Sequence, residues 1–410
     1  MTGDKGDRIF IDKALEIGYE LCRQAIWYKD KCSWIDFHMH MMANGHKNRY
    51  YRNLSANFYD GTAGISFFLG RLYSLTGEGL FKKTAVASLY KSMDELHAFA
   101  PTYKYGFYSG FGGLLYSILT CERYFEIDRS DLWLQQIRAQ MVNPIVGFEV
   151  GNDIINGLAG HLKTLLLWNR LRHDDDIQLA AVQTGSLLIE RAEENANGVS
   201  WKTIGNVSRN LTGYAHGAAG IGCSLIDLYT LTGERRFLAT ALNAYKYEDQ
   251  FFDVEQNNWP DFRLNIASSA DPEKLNYSFA WCHGAPGIAL SRLKAGAFYE
   301  TAGEICHKVA MQIDNEDGGK RINNYSICHG IMGNAQILDI IGTFTGNKGY
   351  RSKASEIAAN AIDQHKHIGF WRSGMDRDYQ TYGYMNGISG IGNFLLNLYE
   401  KSVSDNAIYF

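Results

Sequence analysis

Residues 217–241 read Gly-Ala-Ala-Gly-Ile-Gly-Cys-Ser-Leu-Ile-Asp-Leu-Tyr-Thr-Leu-Thr-Gly-Glu-Arg-Arg-Phe-Leu-Ala-Thr-Ala, and they predict a helical hairpin. The apolar segment that begins at Ile221 runs for about three helical turns and stops at Gly233, which can take the left-handed conformation of a helix C-cap. Phe237 then opens a second helix, and Ala241 follows one turn later, where two helices can approach closely.

The Gly-x-x-Gly motif that opens this stretch recurs along the chain, at Gly61, Gly110, Gly157, Gly217, Gly284, Gly330 and Gly387. Successive copies begin 49, 47, 60, 67, 46 and 57 residues apart, a spacing typical of a repeat protein. Proline is scarce and no stretch alternates strictly like a strand, so we expect an all-α fold of seven hairpins. The hairpins can stack as an open solenoid or close into a ring, an α/α toroid. In a ring, the glycines would let the helix starts crowd together around a central cavity.

The composition limits the function classes. The chain has 410 residues, of which 46% are hydrophobic and 20% are charged, with a formal net charge of -4. This charge gives no basic surface for nucleic acid, and no apolar run is long enough to span a membrane. The polar N-terminus lacks a signal-peptide pattern, and the seven cysteines are an odd number, so we expect a cytoplasmic protein with reduced thiols. We expect a helical segment over 1–50 that leads into a toroid domain over 51–410.

Three consecutive motif copies carry unusual residues just before the first glycine: His216, the pair Cys282-His283 and the pair Cys328-His329. The repeat would bring these side chains together. Two thiolates and an imidazole suit tetrahedral Zn²⁺, and we expect Cys282, Cys328 and His329 to be its ligands. Three protein ligands leave the fourth position open, which is typical of a catalytic zinc site. His283 competes with His329 for the ligand role.

An open zinc site can activate water or a thiol. A zinc-bound thiol becomes a thiolate at neutral pH, and its addition to an alkene needs a proton donor for the carbanion that forms. His216 is the leading candidate for that donor. Asp153 could orient His216 or balance its charge, although an Asp ahead of a helix is often an N-cap.

The same residues resemble the LanC family of lanthionine cyclases over the chain from about Tyr59 to about Tyr399. The stretches that carry the resemblance are Tyr214-Ala-His-Gly-Ala-Ala-Gly220, Trp281-Cys-His-Gly-Ala-Pro-Gly287 and Cys328-His-Gly330. Two further stretches, Tyr59-Asp-Gly-Thr-Ala-Gly64 and Asn258-Trp-Pro-Asp-Phe-Arg263, look like the C-terminal cyclase domain of class II lanthipeptide synthetases (LanM).

The resemblance implies an α/α toroid with zinc held by Cys282, Cys328 and His329. It also implies that the cysteine of a dehydrated precursor peptide adds to dehydroalanine or dehydrobutyrine, which forms a lanthionine or methyllanthionine thioether ring. His216 then takes the general acid/base place and Asp153 the family's aspartate place.

The chain departs from the family pattern in three ways. His283 stands where stand-alone cyclases have an aromatic residue, and it is either a ligand or an acid/base group. Ser278 stands where they have an arginine. LanM synthetases also have a large dehydratase domain, for which this chain has no room, so we expect a separate dehydratase domain or protein as a partner.

Three other functions stay open. One is the addition of glutathione or another small thiol to dehydroamino acids in proteins. The second is a zinc-dependent prenyltransferase β subunit, which would need a basic diphosphate pocket, although no cluster of Lys or Arg stands near the cysteine motifs. The third is a non-catalytic zinc scaffold that binds a leader peptide for a partner dehydratase.

Overall fold

The computed structural model describes residues 5–41, 47–143, 150–205, 207–263, 275–316, 323–376, 378–403 and 406–409. These residues form mainly helices: α1 (Lys5–Gln24), α2 (Thr62–Thr76), α3 (Gly79–Asp94), α4 (Phe111–Glu122), α5 (Ser130–Val142), α6 (Leu158–Arg172), α7 (Asp175–Glu190), α8 (Ala218–Thr232), α9 (Arg235–Asp249), α10 (Ala285–Ala295), α11 (Ala302–Glu316), α12 (Ile331–Thr345), α13 (Lys348–Ile368) and α14 (Ile388–Glu400). The prediction of a helical fold is confirmed.

The helices alternate between two kinds. The even-numbered helices α2 to α14 each begin directly after a glycine of the repeated motif, and they are buried on nearly all sides. In α8, for example, every residue from Ala218 to Ile226 is buried. The helix that follows each of α2 to α12 presents one apolar face, as in α9, where Phe237, Ala241 and Ala244 are buried. This difference in burial separates an inner helix from an outer helix in each hairpin.

The predicted helix stop at Gly233 is confirmed, and the glycines at the equivalent places of two other copies end their helices in the same way. Gly77, Gly233 and Gly346 end α2, α8 and α12 with φ angles of 68°, 71° and 70°, the left-handed C-cap conformation. Each donates its backbone N–H to a carbonyl of the last helical turn.

The glycine motif has a physical cause that can be seen at Gly220. A Cβ on Gly220 would lie 1.9 Å from the Tyr214 carbonyl oxygen and 2.8 Å from Cδ1 of Ile154 in the preceding copy. The loop before the helix therefore folds back over the helix start. The Ala218 N–H donates to the Leu211 carbonyl of the same loop (3.0 Å). We expected crowding between helix starts, and the contact is instead mainly between a helix start and its own loop.

The N-terminal segment corrects the expectation of a helical segment over 1–50. Helix α1 covers only Lys5–Gln24, and the chain then forms two antiparallel hairpins, from β1 (Ile26–Tyr28) with β2 (Lys31–Ser33) and from β3 (Ile35–Met41) with β4 (Lys47–Asn53). Aromatic and β-branched residues such as Trp27, Tyr28 and Ile35 favour strands. The expected boundary after residue 50 falls inside β4. A third hairpin pairs β5 (Glu193–Asn195) with β6 (Gly198–Ser200).

The chain forms two compact units. Unit 1 contains Met1–Phe99, Gly113–Leu134 and Ile313–Phe410, and unit 2 contains Ala100–Gly112 and Gln135–Gln312. In unit 1, α14 packs against α1, α2 and α12, so the N-terminal helix is the outer partner of the last inner helix. In unit 2, α8 packs against α6, α9 and α10. Within the described ranges, every helix is too short or too polar to span a lipid bilayer.

Candidate active site and metal centre

In unit 2, the loops that precede the inner helices are joined to one another by backbone hydrogen bonds. Phe107 donates its N–H to the Ile154 carbonyl (3.1 Å), Ile154 to that of Ala215 (3.3 Å), and Ala215 to that of Cys282 (3.1 Å). Each bond links one motif copy to the next. The residues just before the glycines therefore lie side by side, as the repeat predicts.

Unit 1 contains the same kind of ladder. Cys328 donates its N–H to the Met385 carbonyl (2.8 Å), and Met385 donates to the Tyr59 carbonyl (2.7 Å). These three residues each lie two positions before the first glycine of their motif, the place that Cys282 has in unit 2. The ladder brings the side chains of the sixth, seventh and first copies into one row.

Asp153, which is buried, and His216, which is half-buried, form a hydrogen-bonded pair in unit 2. The His216 Nδ1 lies 2.7 Å from Asp153 Oδ2, and the Asp153 side chain is 1% exposed. The other carboxylate oxygen accepts the Asn156 N–H (2.7 Å), while the N-cap of α6 is Gly157. Asp153 is therefore a partner of His216 and not the N-cap of the helix.

The charge of Asp153 changes the acidity of His216. Burial lowers the pKa of His216, but the charge and the hydrogen bond of Asp153, with a contribution from Cys282, outweigh burial and raise this pKa above its ordinary value. His216 therefore holds a proton at neutral pH more readily than an ordinary histidine does, as a proton donor must.

The carboxylate of Glu248 holds the loop that carries His216 through hydrogen bonds. This carboxylate is fully buried, and one of its oxygens accepts the N–H groups of Gly213 (2.8 Å) and Ala219 (2.9 Å) on either side of His216. Its other oxygen accepts from the buried Arg292 guanidinium (3.0 Å). The ion pair therefore holds both the loop and the start of α8.

His283 lies beside His216, with the two ring centroids 5.8 Å apart and the rings inclined by 27°. It is 2% exposed, and its Nδ1 lies 4.0 Å from the carboxylate of Asp261. Burial raises the pKa of Asp261, but the hydrogen bonds from Arg263 and the charges of His283 and Arg263 outweigh burial and lower it. Unit 2 thus brings Asp153, His216 and His283 together and adds a carboxylate, Asp261, behind His283.

Cys328 and His329 are held by neighbours within unit 1. The Tyr59 hydroxyl donates to Cys328 Sγ over 2.8 Å. The His329 Nε2 lies 2.6 Å from the Gly374 carbonyl oxygen, and the His329 N–H donates to Ser326 Oγ (3.3 Å). Cys328 is buried at 2% exposure, whereas His329 is exposed.

Cys282, Cys328 and His329 carry donor atoms that could hold a metal ion, two thiol sulfurs and one imidazole nitrogen. Sulfur and imidazole ligands in this ratio suit Zn²⁺ better than the oxygen-binding cations Mg²⁺ and Ca²⁺. The chemistry of the donors therefore fits the expected metal.

The remaining cysteines pack in the interior, at 0–7% exposure: Cys22, Cys32, Cys121, Cys223 and Cys306. Cys306 has a Cys-His sequence like that of the ligand pairs, but it lies inside α11, and its thiol donates to the Ala289 carbonyl (3.4 Å). Burial raises the pKa of Cys306 to about 12, so this thiol stays protonated.

Sequence reasoning did not assign a role to Tyr59, Asp261 or Gly374. The repeat could have found Tyr59, because it lies in the same motif position as Cys282 and Cys328. Asp261 and Arg263 belong to a stretch that stood out in the sequence, but its role depended on contacts between loops. Nothing in the sequence around Gly374 indicates that its carbonyl lies against His329.

A sequence model of the family described as "Lanthionine synthetase C-like protein" matches residues 53–409. The chain is 25% identical to the lacticin 481/lactococcin biosynthesis protein LcnDR2 of Lactococcus lactis subsp. lactis over 362 residues, which are 83% of this chain and 36% of that protein. It is 28% identical to the nisin biosynthesis protein NisC of the same organism, over 72% of this chain and 74% of NisC.

Two further comparisons concern the fold and a more distant relative. The solved structure of nisin cyclase superposes with a TM-score of 0.63 at 21% identity, covering 84% of this chain and 88% of that chain, and this likeness shows the fold class to be an α/α toroid. The "Glutathione S-transferase LANCL1" of Danio rerio is 22% identical over 72% of this chain and 71% of that protein.

Proposed function

Since the chain belongs to the lanthionine synthetase C-like family, we propose that it is a zinc-dependent cyclase that forms thioether rings in a dehydrated precursor peptide. A peptide cysteine adds to the β-carbon of dehydroalanine or dehydrobutyrine, and the product is lanthionine or methyllanthionine. The observation that carries the proposal is the hydrogen-bonded Asp153–His216 pair beside Cys282, the cysteine of a family motif.

The reaction is an addition without net oxidation. The C–S bond forms at the β-carbon, the π bond of the alkene breaks, and its electron pair moves to the α-carbon. The thiol proton leaves the cysteine, and one proton is delivered to the α-carbon. The enzyme therefore needs a means of ionising the thiol and a proton donor near the alkene.

Cys282, Cys328 and His329 are the proposed zinc ligands, in agreement with their donor chemistry. Zinc held by these residues would lower the pKa of a substrate thiol, so that the thiol would be ionised at neutral pH. The chain's own contribution is to hold the ligands: Tyr59 donates to Cys328, and the Gly374 carbonyl lies against His329.

His216 is the proposed proton donor. Asp153 holds the Nδ1 proton and leaves Nε2 to act on the substrate, and its charge stabilises the imidazolium form. His283, which stacks beside His216 and faces Asp261, is the proposed second acid/base group. It could accept the thiol proton while His216 donates to carbon.

The proposed partners follow from the substrate. The chain spans 36% of the length of LcnDR2, and ring closure needs alkenes that come from serine and threonine by loss of water. We therefore propose a dehydratase domain or protein as a partner. A reducing compartment such as the cytoplasm would keep the substrate thiol and the free cysteines of this chain reduced.

Two alternatives remain for the test. The name of LANCL1 concerns glutathione transfer and favours a variant of the proposal in which free glutathione is the thiol. A zinc scaffold that binds a leader peptide would leave ring closure to another protein.

The test uses the purified chain with a dehydrated peptide that contains its own cysteines, and separately with glutathione and a cysteine-free dehydrated peptide. Ring closure leaves the mass unchanged, so thiols that remain are counted by alkylation and mass spectrometry. We expect ring closure by the wild type and by Cys306→Ala, a matched buried cysteine, but not by Cys328→Ala. Wild-type closure no faster than the rate without enzyme would support the scaffold. Normal closure by Cys328→Ala would contradict the proposed role of the zinc site, and turnover with glutathione alone would support the transferase.

A further inference from the structure

The exposed imidazole of His329 has one ring nitrogen committed to the backbone. Its Nε2 lies 2.6 Å from the Gly374 carbonyl oxygen. A carbonyl oxygen can only accept a hydrogen bond, so Nε2 must carry the proton and donate it. In the neutral imidazole the lone pair then belongs to Nδ1.

Gly374 can make this contact because it has no side chain. A Cβ at this position would lie 2.8 Å from both Cε1 and Nε2 of His329 and 2.8 Å from Ser326 Oγ. The hydroxyl of Ser326 also accepts the His329 N–H (3.3 Å), so a side chain at 374 would disturb the ring and its backbone together.

The segment that carries Gly374 is itself fixed. Ser373 donates its N–H to the Tyr379 carbonyl (2.9 Å), and Gly374 donates to the Asn386 carbonyl (3.1 Å), one residue before the motif glycine that starts α14. The Gly374 carbonyl is therefore held by the loop before the seventh repeat copy, while His329 belongs to the sixth.

We propose that Gly374 is a positioning residue that fixes the tautomer and the orientation of His329, so that this histidine binds the metal through Nδ1. The inference rests on the proposed zinc site. It adds that Nδ1 is the atom of His329 that binds the metal and that Gly374 selects this atom. Partners that orient a ligand histidine in this way commonly change metal affinity by about 10- to 100-fold when they are altered.

The first measurement needs no variant. The wild type is labelled with ¹⁵N-histidine, and the ring nitrogens are observed by NMR before and after one equivalent of zinc is added, with His329→Asn to assign the resonance. We expect Nδ1 of His329 to shift on zinc binding and Nε2 to keep its proton. Zinc binding through Nε2 would overturn the inference.

The second measurement compares the zinc affinity of Gly374→Ala and Gly79→Ala by competition with a chelator. Gly79 lies in the same unit, and a Cβ there meets no atom within 4 Å. We expect about 10- to 100-fold weaker binding for Gly374→Ala and wild-type binding for Gly79→Ala. Equal affinities would contradict the role of Gly374. Equal affinities refute only this inference when the wild type binds zinc and closes rings. A wild type that binds no zinc refutes the proposed function as well.

Discussion

Replacement of Asp153 by asparagine should remove most of the acid/base catalysis. One carboxylate oxygen of Asp153 accepts the Asn156 N–H and the other faces His216 Nδ1, each over 2.7 Å. An asparagine must keep its single oxygen on the Asn156 N–H, so its amide NH₂ turns toward His216. Nδ1 must then accept a hydrogen bond and can no longer carry a proton, and the imidazolium form is lost.

The size of the effect has two bounds. Loss of a hydrogen bond to a buried charge costs about 1.5–3 kcal/mol, which is about 10- to 150-fold in rate. Complete loss of a positioned general acid costs about 10²- to 10⁴-fold. We therefore expect kcat for ring closure to fall by at least about 10-fold and at most about 10⁴-fold.

The pH profile gives the prediction its sign. Asp153 raises the pKa of His216 above its ordinary value, so in the wild type the protonated donor persists to higher pH. In Asp153→Asn this pKa falls, and the alkaline limb of the kcat profile should move to lower pH. The assay counts unreacted thiols over a range of about pH 5.5–9, after subtraction of the rate without enzyme.

The matched control is Asp176→Asn, an aspartate of the same unit whose side chain is 72% exposed, and it should behave as the wild type. A rate for Asp153→Asn within about two-fold of the wild type, with an unchanged alkaline limb, would refute the role of the pair, since even the smaller bound predicts more.

Three further predictions concern other parts of the molecule. Tyr59→Phe removes the hydroxyl that donates to Cys328 and should weaken zinc binding by about 2- to 10-fold in chelator competition. An unchanged zinc affinity would contradict a hydrogen bond from Tyr59 to this zinc ligand. Arg292→Leu leaves the buried carboxylate of Glu248 without its ion partner. This change should lower the free energy of unfolding by about 3–5 kcal/mol in urea titrations. A loss below about 1 kcal/mol would show that the pair is not needed for stability. Burial raises the pKa of Asp36 to about 7 against opposing backbone hydrogen bonds. The contribution of Asp36 to the free energy of unfolding is therefore complete below about pH 4 and is lost as pH rises through about 7, a change on the order of 4 kcal/mol. Asp36→Asn should make the free energy of unfolding less dependent on pH over this range, and an equally steep pH dependence would contradict the assignment.

The repeat made much of the fold predictable. Each hairpin repeats a local pattern, and its helix stops depend only on the residue at the C-cap, so Gly77, Gly233 and Gly346 could be assigned from the sequence. The N-terminal hairpins lie outside this repeat. The strands β1 and β2 are only three residues long each. Lys29, at a φ of 57°, forms part of the turn between them without the Asn-Gly or Asp-Gly sequence that signals one.

The candidate site was predictable where its residues follow the repeat. The positions before the motif glycines identified His216 and the two Cys-His pairs, and the backbone ladders within each unit explain why equal positions meet. The contacts of Gly374 and Asp261 come from irregular segments between the helices. Such contacts depend on how a loop folds back over a neighbour, and no local pattern records them.

The zinc content of active protein tests the central claim most directly. The chain is purified without added metal, and its ring-closing rate is measured. Zinc in the same sample is determined by inductively coupled plasma mass spectrometry. The proposed function predicts one zinc ion per active chain, with zinc and activity lost together in Cys282→Ala and in chelator-treated protein. Full ring-closing activity in a sample that contains no zinc would contradict it.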